Sequence, residues 1–166
     1  MLLPKIIPAL ILMVLSFINA SSQNALINIL THNVGIVKKD AVDFVEITVN
    51  NTDPVNFIGI YKIQVKITVP SEIASIDTIG HVLPTGWKVT SNDGASIILT
   101  NGTNMIAATD ARTLLIAIRG KKIGGPLTII GQLFFSNGIS PGTVPGILKG
   151  DNPGDNSSTS TCKVEN

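Results

Sequence analysis

Residues 61–70 read YKIQVKITVP, and this stretch decides the fold class. From Tyr61 to Val69 every second side chain is apolar, and the side chains between them are polar. Because successive side chains of a strand point to opposite faces, this alternation predicts a strand with one buried and one solvated face. Pro70 ends the predicted strand, since proline has no backbone N–H to donate to a sheet.

Segments of the same kind recur along the chain and are separated by turn residues. The turn signals are Asn50–Pro54, Pro84–Gly86, Asn92–Gly94 and Asn101–Gly102. We predict that 113–119 and 127–135, which are apolar nearly throughout, are central strands buried on both faces. The other predicted strands lie in 26–37 (two runs broken by Thr31-His32-Asn33), 42–50, 61–69, 87–89, 96–100 and 157–165. Residues 73–79 are predicted to form a weaker strand or an extended loop.

These elements predict an all-β, immunoglobulin-like sandwich of about eight or nine antiparallel strands, since turn signals follow each other at intervals of roughly 8–12 residues. No segment of helical length has a convincing 3.6-residue period. The chain of 166 residues suits a single folded domain, which we place at residues 21–166. Its one cysteine, Cys162, excludes an internal disulfide and predicts a small buried residue in the last strand.

The first twenty residues, MLLPKIIPALILMVLSFINA, predict a cleaved signal peptide at residues 1–20. Lys5 supplies the positive start, Ile6–Phe17 the apolar core, and Ala20 the small residue before cleavage at Ser21. We therefore expect export to the periplasm, the cell surface or the medium. No later apolar run approaches the ~20 residues of a membrane span, so no transmembrane anchor is expected after cleavage.

The charge balance and the sequence motifs argue against nucleic-acid binding and against catalysis. Twelve basic and eleven acidic residues, with Lys5 in the leader, leave the domain close to neutral, so nucleic acid is not an expected partner. Arg119, Lys121 and Lys122 cluster beside a glycine-rich turn, which favours a solvated hairpin end over an anion site. The two histidines, His32 and His81, accompany no nucleophile elbow or metal-ligand spacing. We expect no catalytic residues and no enzyme.

Three smaller features mark candidate sites. Asp151, Asn152, Asp155 and Asn156 place four oxygen ligands in six residues, which makes calcium the one cofactor worth considering, although this loop does not match an EF-hand. Trp87 is the candidate for carbohydrate binding. Asp77-Thr78-Ile79 resembles a short bacterial O-glycosylation motif with Thr78 as acceptor, whereas the triplets at Asn50, Asn101 and Asn156 are expected to be accidental.

The order of several loose motifs resembles the immunoglobulin-like repeats of bacterial surface proteins, the CARDB-like and adhesin-type repeats, particularly those of Bacteroidetes. The motifs are VEITVNNT (45–52), VKITVP (65–70), LPTGW (83–87) and the terminal GDNPGDNSSTSTCKV (150–164). The resemblance implies a non-catalytic surface module and transfers no catalytic residues. This sequence departs from the family pattern because it contains one repeat, whereas such repeats usually occur many to a chain.

Three functions follow as hypotheses. The first is a binding or adhesion module that recognises an extracellular protein or glycan through its loops. The second is a structural or assembly subunit of an extracellular complex, joined to its neighbours through an exposed sheet edge. The third is a carbohydrate-binding module, for which the supply of aromatic side chains is small.

Overall fold

The computed structural model describes residues 24–135 and 153–166. Within these residues the chain forms ten strands and two short 3-10 turns, at Asn33–Gly35 and Pro153–Asp155. The strands are β1 (Ala25–Thr31), β2 (Ile36–Lys38), β3 (Val42–Asn51), β4 (Ile63–Thr68), β5 (Ala74–Ile76), β6 (Lys88–Asn92), β7 (Ser96–Thr100), β8 (Ala111–Gly120), β9 (Gly124–Phe135) and β10 (Ser157–Glu165).

The strands form two packed sheets, which confirms the predicted immunoglobulin-like sandwich. One sheet has the order β1-β3-β8-β5, and the other has the order β2-β10-β9-β4-β7-β6. All strand pairs are antiparallel except β2 with β10, which run parallel. The described residues thus contain ten strands, slightly more than the eight or nine predicted.

The core lies between the sheets and is built from the alternating residues that the sequence indicated. Ile63, Val65 and Ile67 of β4 are fully buried, and so are Val45 and Ile47 of β3. Cys162 of β10 is also fully buried, as predicted. Burying each such aliphatic side chain contributes roughly 1.5–3 kcal/mol to folding, so the sandwich needs no covalent link.

Two predictions about strands are wrong in detail. Tyr61 does not begin β4: its φ of +54° is in the left-handed region, and the strand starts at Ile63. The strand in 127–135 is not buried on both faces, since Leu127 and Ile130 of β9 are exposed. Apolar residues on a solvated face look like core residues in the sequence, because periodicity cannot tell the two apart.

Asn24 and Asn166 lie at opposite ends of the sandwich. Asn24 lies at the end where β3 finishes and β4 begins, since its carbonyl accepts the backbone N–H of Thr52 at 3.0 Å. Asn166 lies at the other end, where its backbone carbonyl accepts the Lys38 ammonium at 2.6 Å. The ten residues of β3 span this distance, about 30 Å.

Candidate functional site: an apolar loop end

Two loops meet at the end of the sandwich that holds Asn24. The first connects β3 to β4 and the second connects β7 to β8. Ile58 and Ile106, both fully buried, exchange backbone hydrogen bonds of 2.8 and 3.1 Å across these loops. We call residues 52–62 and 101–110 together the loop end.

Asn51, only 2% exposed, fixes the first loop to the second. Its Nδ2 donates to the backbone carbonyls of Asn56 at 2.7 Å and Ala107 at 3.0 Å. Its Oδ1 accepts the backbone N–H of Asp53 at 3.1 Å. Because each of these groups is taken out of water, removing the amide leaves buried polar groups without partners.

Asn101 does the same from the second loop and is fully buried. Its Nδ2 donates to the carbonyls of Gly59 at 2.8 Å and Asn104 at 2.7 Å. Its Oδ1 accepts the backbone N–H of Ile63, the first residue of β4, at 3.1 Å. The Asn-Gly pair that the sequence indicates as a simple turn is therefore a buried clamp between two loops.

Asp53 completes the framework as a turn cap. Its Oδ1 accepts the backbone N–H groups of Asn56 at 2.7 Å and Val55 at 2.8 Å. These hydrogen bonds, first the one from Asn56, hold the pKa of the carboxyl below its usual value. The Asp53 carbonyl in turn accepts the N–H of Thr109 from the second loop at 3.1 Å.

The largest exposed side chains on this framework are apolar, and the exposed Thr52, Thr103 and Thr109 lie on the same loops. Val55 is 79% exposed, Phe57 58%, Met105 55% and Ile60 48%. Phe57 and Met105 point outward because their neighbours Ile58 and Ile106 point into the core, as alternation along extended backbone requires. Large apolar side chains grouped on a rigid surface are typical of interaction sites.

Arg112 borders this surface from the start of β8. Its guanidinium donates to Asn104 Oδ1 at 3.0 Å and to the Met105 carbonyl at 3.1 Å, which fixes the backbone that carries Met105. It also pairs with Asp110, and this contact holds the pKa of the Asp110 carboxyl below its usual value. The charged groups at the rim are thus largely used within the protein.

The sequence candidates for a site lie elsewhere. Trp87 is 6% exposed and packs in the core, so it offers no open ring face to a sugar, and this candidate is not supported. Trp87 directly precedes β6, and its backbone N–H donates to the Pro84 carbonyl at 3.0 Å across the turn. Thr78 is exposed, and its role as a glycan acceptor stays a prediction.

The structure describes two of the four calcium candidates, Asp155 and Asn156. Asp151 and Asn152 lie outside the described residues, as do Ala20 and Ser21 of the leader. Asp155 Oδ2 accepts the Asn24 side-chain amide at 3.5 Å, whereas its Oδ1 is buried without a hydrogen-bond donor among the described residues. In residues 24–135 and 153–166 there is no group of three or more His, Cys, Asp or Glu placed to hold a metal.

The two histidines lie outside the strands and make different contacts. His32 Nε2 is 3.5 Å from Glu46, and its ring lies against Phe44 with 6.1 Å between the ring centroids. His81 Nδ1 accepts the backbone N–H of Ala117 at 3.1 Å.

In the part of the chain that the structure describes, no helix is long and apolar enough to cross a membrane.

Comparison with known proteins supports the fold and gives no family. No family model matches the sequence, and no curated protein matches it. A cohesin module of a family 33 glycoside hydrolase from Clostridium perfringens has a TM-score of 0.55 at 12% identity, covering 87% of this chain and 98% of the module. The BcpA major pilin subunit of Bacillus cereus also gives 0.55 at 12% identity, covering 85% of this chain and 40% of the subunit.

A third similar structure is the CARDB domain of a Pyrococcus furiosus protein, with a TM-score of 0.48 and 12% identity, covering 87% of this chain and 90% of that domain. The resemblance to CARDB-like repeats of Bacteroidetes stays a prediction beyond the immunoglobulin-like fold. At these identities the likeness concerns architecture alone. The similar structures are mostly modules of the binding or assembly kind.

Sequence reasoning did not identify Phe57 and Met105. Both lie outside the alternating segments, and their exposure depends on a bridge between Ile58 and Ile106, which are far apart in sequence. The signal that could have located them is the cluster of Asn and Asp residues around each, since such residues favour turns over strands.

Proposed function

We propose that the protein is exported and acts as a non-catalytic binding or assembly module, and that the loop end contacts a protein partner. The observation that carries this proposal is the exposure of Val55, Phe57, Ile60 and Met105 on loops fixed by buried side chains. A surface ordered before binding loses little conformational entropy on association, so its apolar area contributes more fully to affinity.

The chemistry of the loop end favours a protein over a glycan. Its large exposed side chains are Val55, Phe57, Ile60 and Met105, and Phe57 is the one aromatic residue with a highly exposed side chain among those described. Sugar sites usually present several flat aromatic faces and hydrogen-bonding groups, whereas aromatic and methionine side chains are enriched at protein interfaces. We therefore expect a partner with an apolar contact surface.

Assembly through a sheet edge is less well supported, because the edges within the described residues are short or blocked. β2 and β5 have only three residues each, and β6 carries a bulge between Val89 and Ser91. On β1 the backbone N–H of Ile29 is already used by Ser158 Oγ at 3.2 Å. Such features oppose edge-to-edge pairing, so an assembly contact is expected at the loop end instead.

The test is site-specific photo-crosslinking in the native cells, with the reactive group at position 57 or, as a control, at position 130. Ile130 is also exposed, at 40%, but lies on the outer face of β9. We expect one reproducible protein adduct from position 57 and none from position 130. Adducts from position 130 alone would overturn the assignment of the surface.

A purified adduct partner is then measured against Phe57→Ser and Met105→Ser by calorimetry. We expect affinity to fall about tenfold or more for Phe57→Ser, as for a buried aromatic anchor. Unfolding stability should change by less than about 0.5 kcal/mol, because the replaced side chain is exposed. A partner that binds wild type and Phe57→Ser equally well contradicts the proposal.

A further inference from the structure

The segment after β5 lies along the edge of β8 as a strap, residues 77–83. β5 itself pairs only with residues 118–120 of β8. Further along, the Asp77 N–H donates to the Ala117 carbonyl at 2.9 Å, and Val82 and Leu115 exchange two backbone hydrogen bonds of 2.9 Å each. The strap therefore covers backbone groups that a longer strand would otherwise cover.

One hydrogen bond in this strap is made by a side chain. The backbone N–H of Ala117 donates to His81 Nδ1 at 3.1 Å, where a regular strand would present a carbonyl. Since Nδ1 accepts a hydrogen bond, it carries no proton, and the proton of the neutral ring is on Nε2. His81 Nε2 is buried and has no hydrogen-bond partner among the described residues.

We propose that neutral His81 is a latch that holds the strap on β8, and that its protonation releases the strap and uncovers an unpaired sheet edge at Leu115–Ala117. A protonated imidazole has donors at both nitrogens and can no longer accept the N–H of Ala117. Two donors then face each other at about 3 Å, and the ring, which is partly buried, gains a charge.

The charged groups around His81 act in opposite directions. Asp77 of the strap favours the protonated ring through its charge and through a hydrogen bond to its backbone, and its carboxylate also binds the Arg119 guanidinium of β8 at 2.8 Å. Burial disfavours the protonated ring and is the larger effect, so the pKa of His81 lies below its ordinary value. The latch is therefore closed at neutral pH and opens in acid.

Besides the latch, the strap is held by the backbone hydrogen bonds of Asp77 and Val82 to β8, by the Asp77–Arg119 ion pair, and by a hydrogen bond from Asn92 Nδ2 to the Asp77 carbonyl at 2.8 Å. Most of its side chains, however, are exposed. Thr78, Ile79, Gly80 and Val82 are all exposed, and Ile79 is 76% exposed. Segments with few buried contacts open at low free-energy cost without unfolding the whole domain. An uncovered edge of this kind is the surface to which an extended segment of another chain can add by strand pairing.

Hydrogen exchange of single amides tests the latch, comparing protection at about pH 7.5 and about pH 5 after correction for intrinsic rates. Amides of Leu115 and Ala117 face the strap, whereas the amide of Ile116 faces β3 and serves as an internal control. We expect protection of Ala117 to fall by up to about tenfold per pH unit below 6.5, with Ile116 unchanged.

Two variants separate the latch from a general effect of acid. His81→Asn places an amide oxygen near the position of Nδ1 and cannot titrate, so protection of Ala117 should no longer depend on pH. His32→Asn, which removes the other histidine, should leave the pH dependence of Ala117 as it is in the wild type. Protection of Ala117 that is independent of pH in the wild type, or equally pH-dependent in His81→Asn, overturns the proposal.

Discussion

The side-chain carbonyl of Asn101 accepts the backbone N–H of Ile63 at 3.1 Å, so a loop residue determines where β4 begins. Both residues are fully buried, and the same amide also holds two carbonyls of the loop end. The rigidity of the proposed contact surface therefore depends on a few side-chain amides more than on strand pairing.

Replacing Asn101 by Ala should lower the free energy of unfolding by about 3 kcal/mol, because one buried and two partly buried backbone groups lose their partners. Asn28→Ala, at an exposed position on β1, is the matched control and should change it by less than about 0.5 kcal/mol. Urea denaturation measures both. Equal stabilities for the two variants would show that water replaces the Asn101 amide at no cost.

Acid should weaken the cap at Asp53. Its pKa is held below the ordinary value of 3.8, so the carboxylate contributes stability that is fully present above that value and is lost as the pH falls through the folded-state pKa. Asp53→Asn should remove this part of the acid dependence. Thermal unfolding between about pH 2 and 5 measures it, and unchanged curves below pH 4 would contradict the prediction.

Gly131 should not tolerate a side chain. A Cβ at this position of β9 would overlap Ile29 Cδ1 of the facing sheet, so Gly131→Ala should destabilise the protein by about 1–3 kcal/mol. Ile29→Val in the same chain removes the overlapping carbon and should restore part of the loss. Gly59→Ala, where the nearest atom is 3.4 Å away, is the control. Strictly additive effects of the Gly131 and Ile29 changes would argue against direct contact.

Cys162 should be inert in the native protein. It is fully buried, and burial is the main cause that raises the pKa of its thiol. Labelling by an aromatic disulfide reagent should be negligible in buffer and complete in denaturant. Fast labelling of the folded protein, or a disulfide-linked dimer on non-reducing gels, is the opposite outcome.

The leader makes a prediction that mass spectrometry can check. Protein recovered from outside the cytoplasm of its native cells should begin at Ser21, as the small residue Ala20 indicates. Ala20→Arg should block this cleavage and leave the precursor uncut. A full-length mass in the exported fraction would refute both the cleavage site and the signal peptide.

Much of the fold follows from local patterns. β4 and β10 are predictable because Val65, Ile67, Cys162 and Val164 alternate with polar residues along strands that have one wet face. The exposure of Ile130 could not be predicted in this way, because nothing in the local sequence distinguishes an apolar residue on the solvated face from one in the core. The loop end could not be predicted for another reason. Its structure depends on hydrogen bonds from Asn51 and Asn101 to carbonyls that are distant in sequence, and periodicity does not reveal such contacts.

The placement of Asn24 and Asn166 at opposite ends has a mechanical consequence. A pull applied between them acts along β1 and β10, whereas the hydrogen bonds of antiparallel strands run across the strands. Many bonds are then loaded together in shear instead of being opened one after another. We therefore expect the domain to resist a pulling force that is applied between Asn24 and Asn166 along the strand axis.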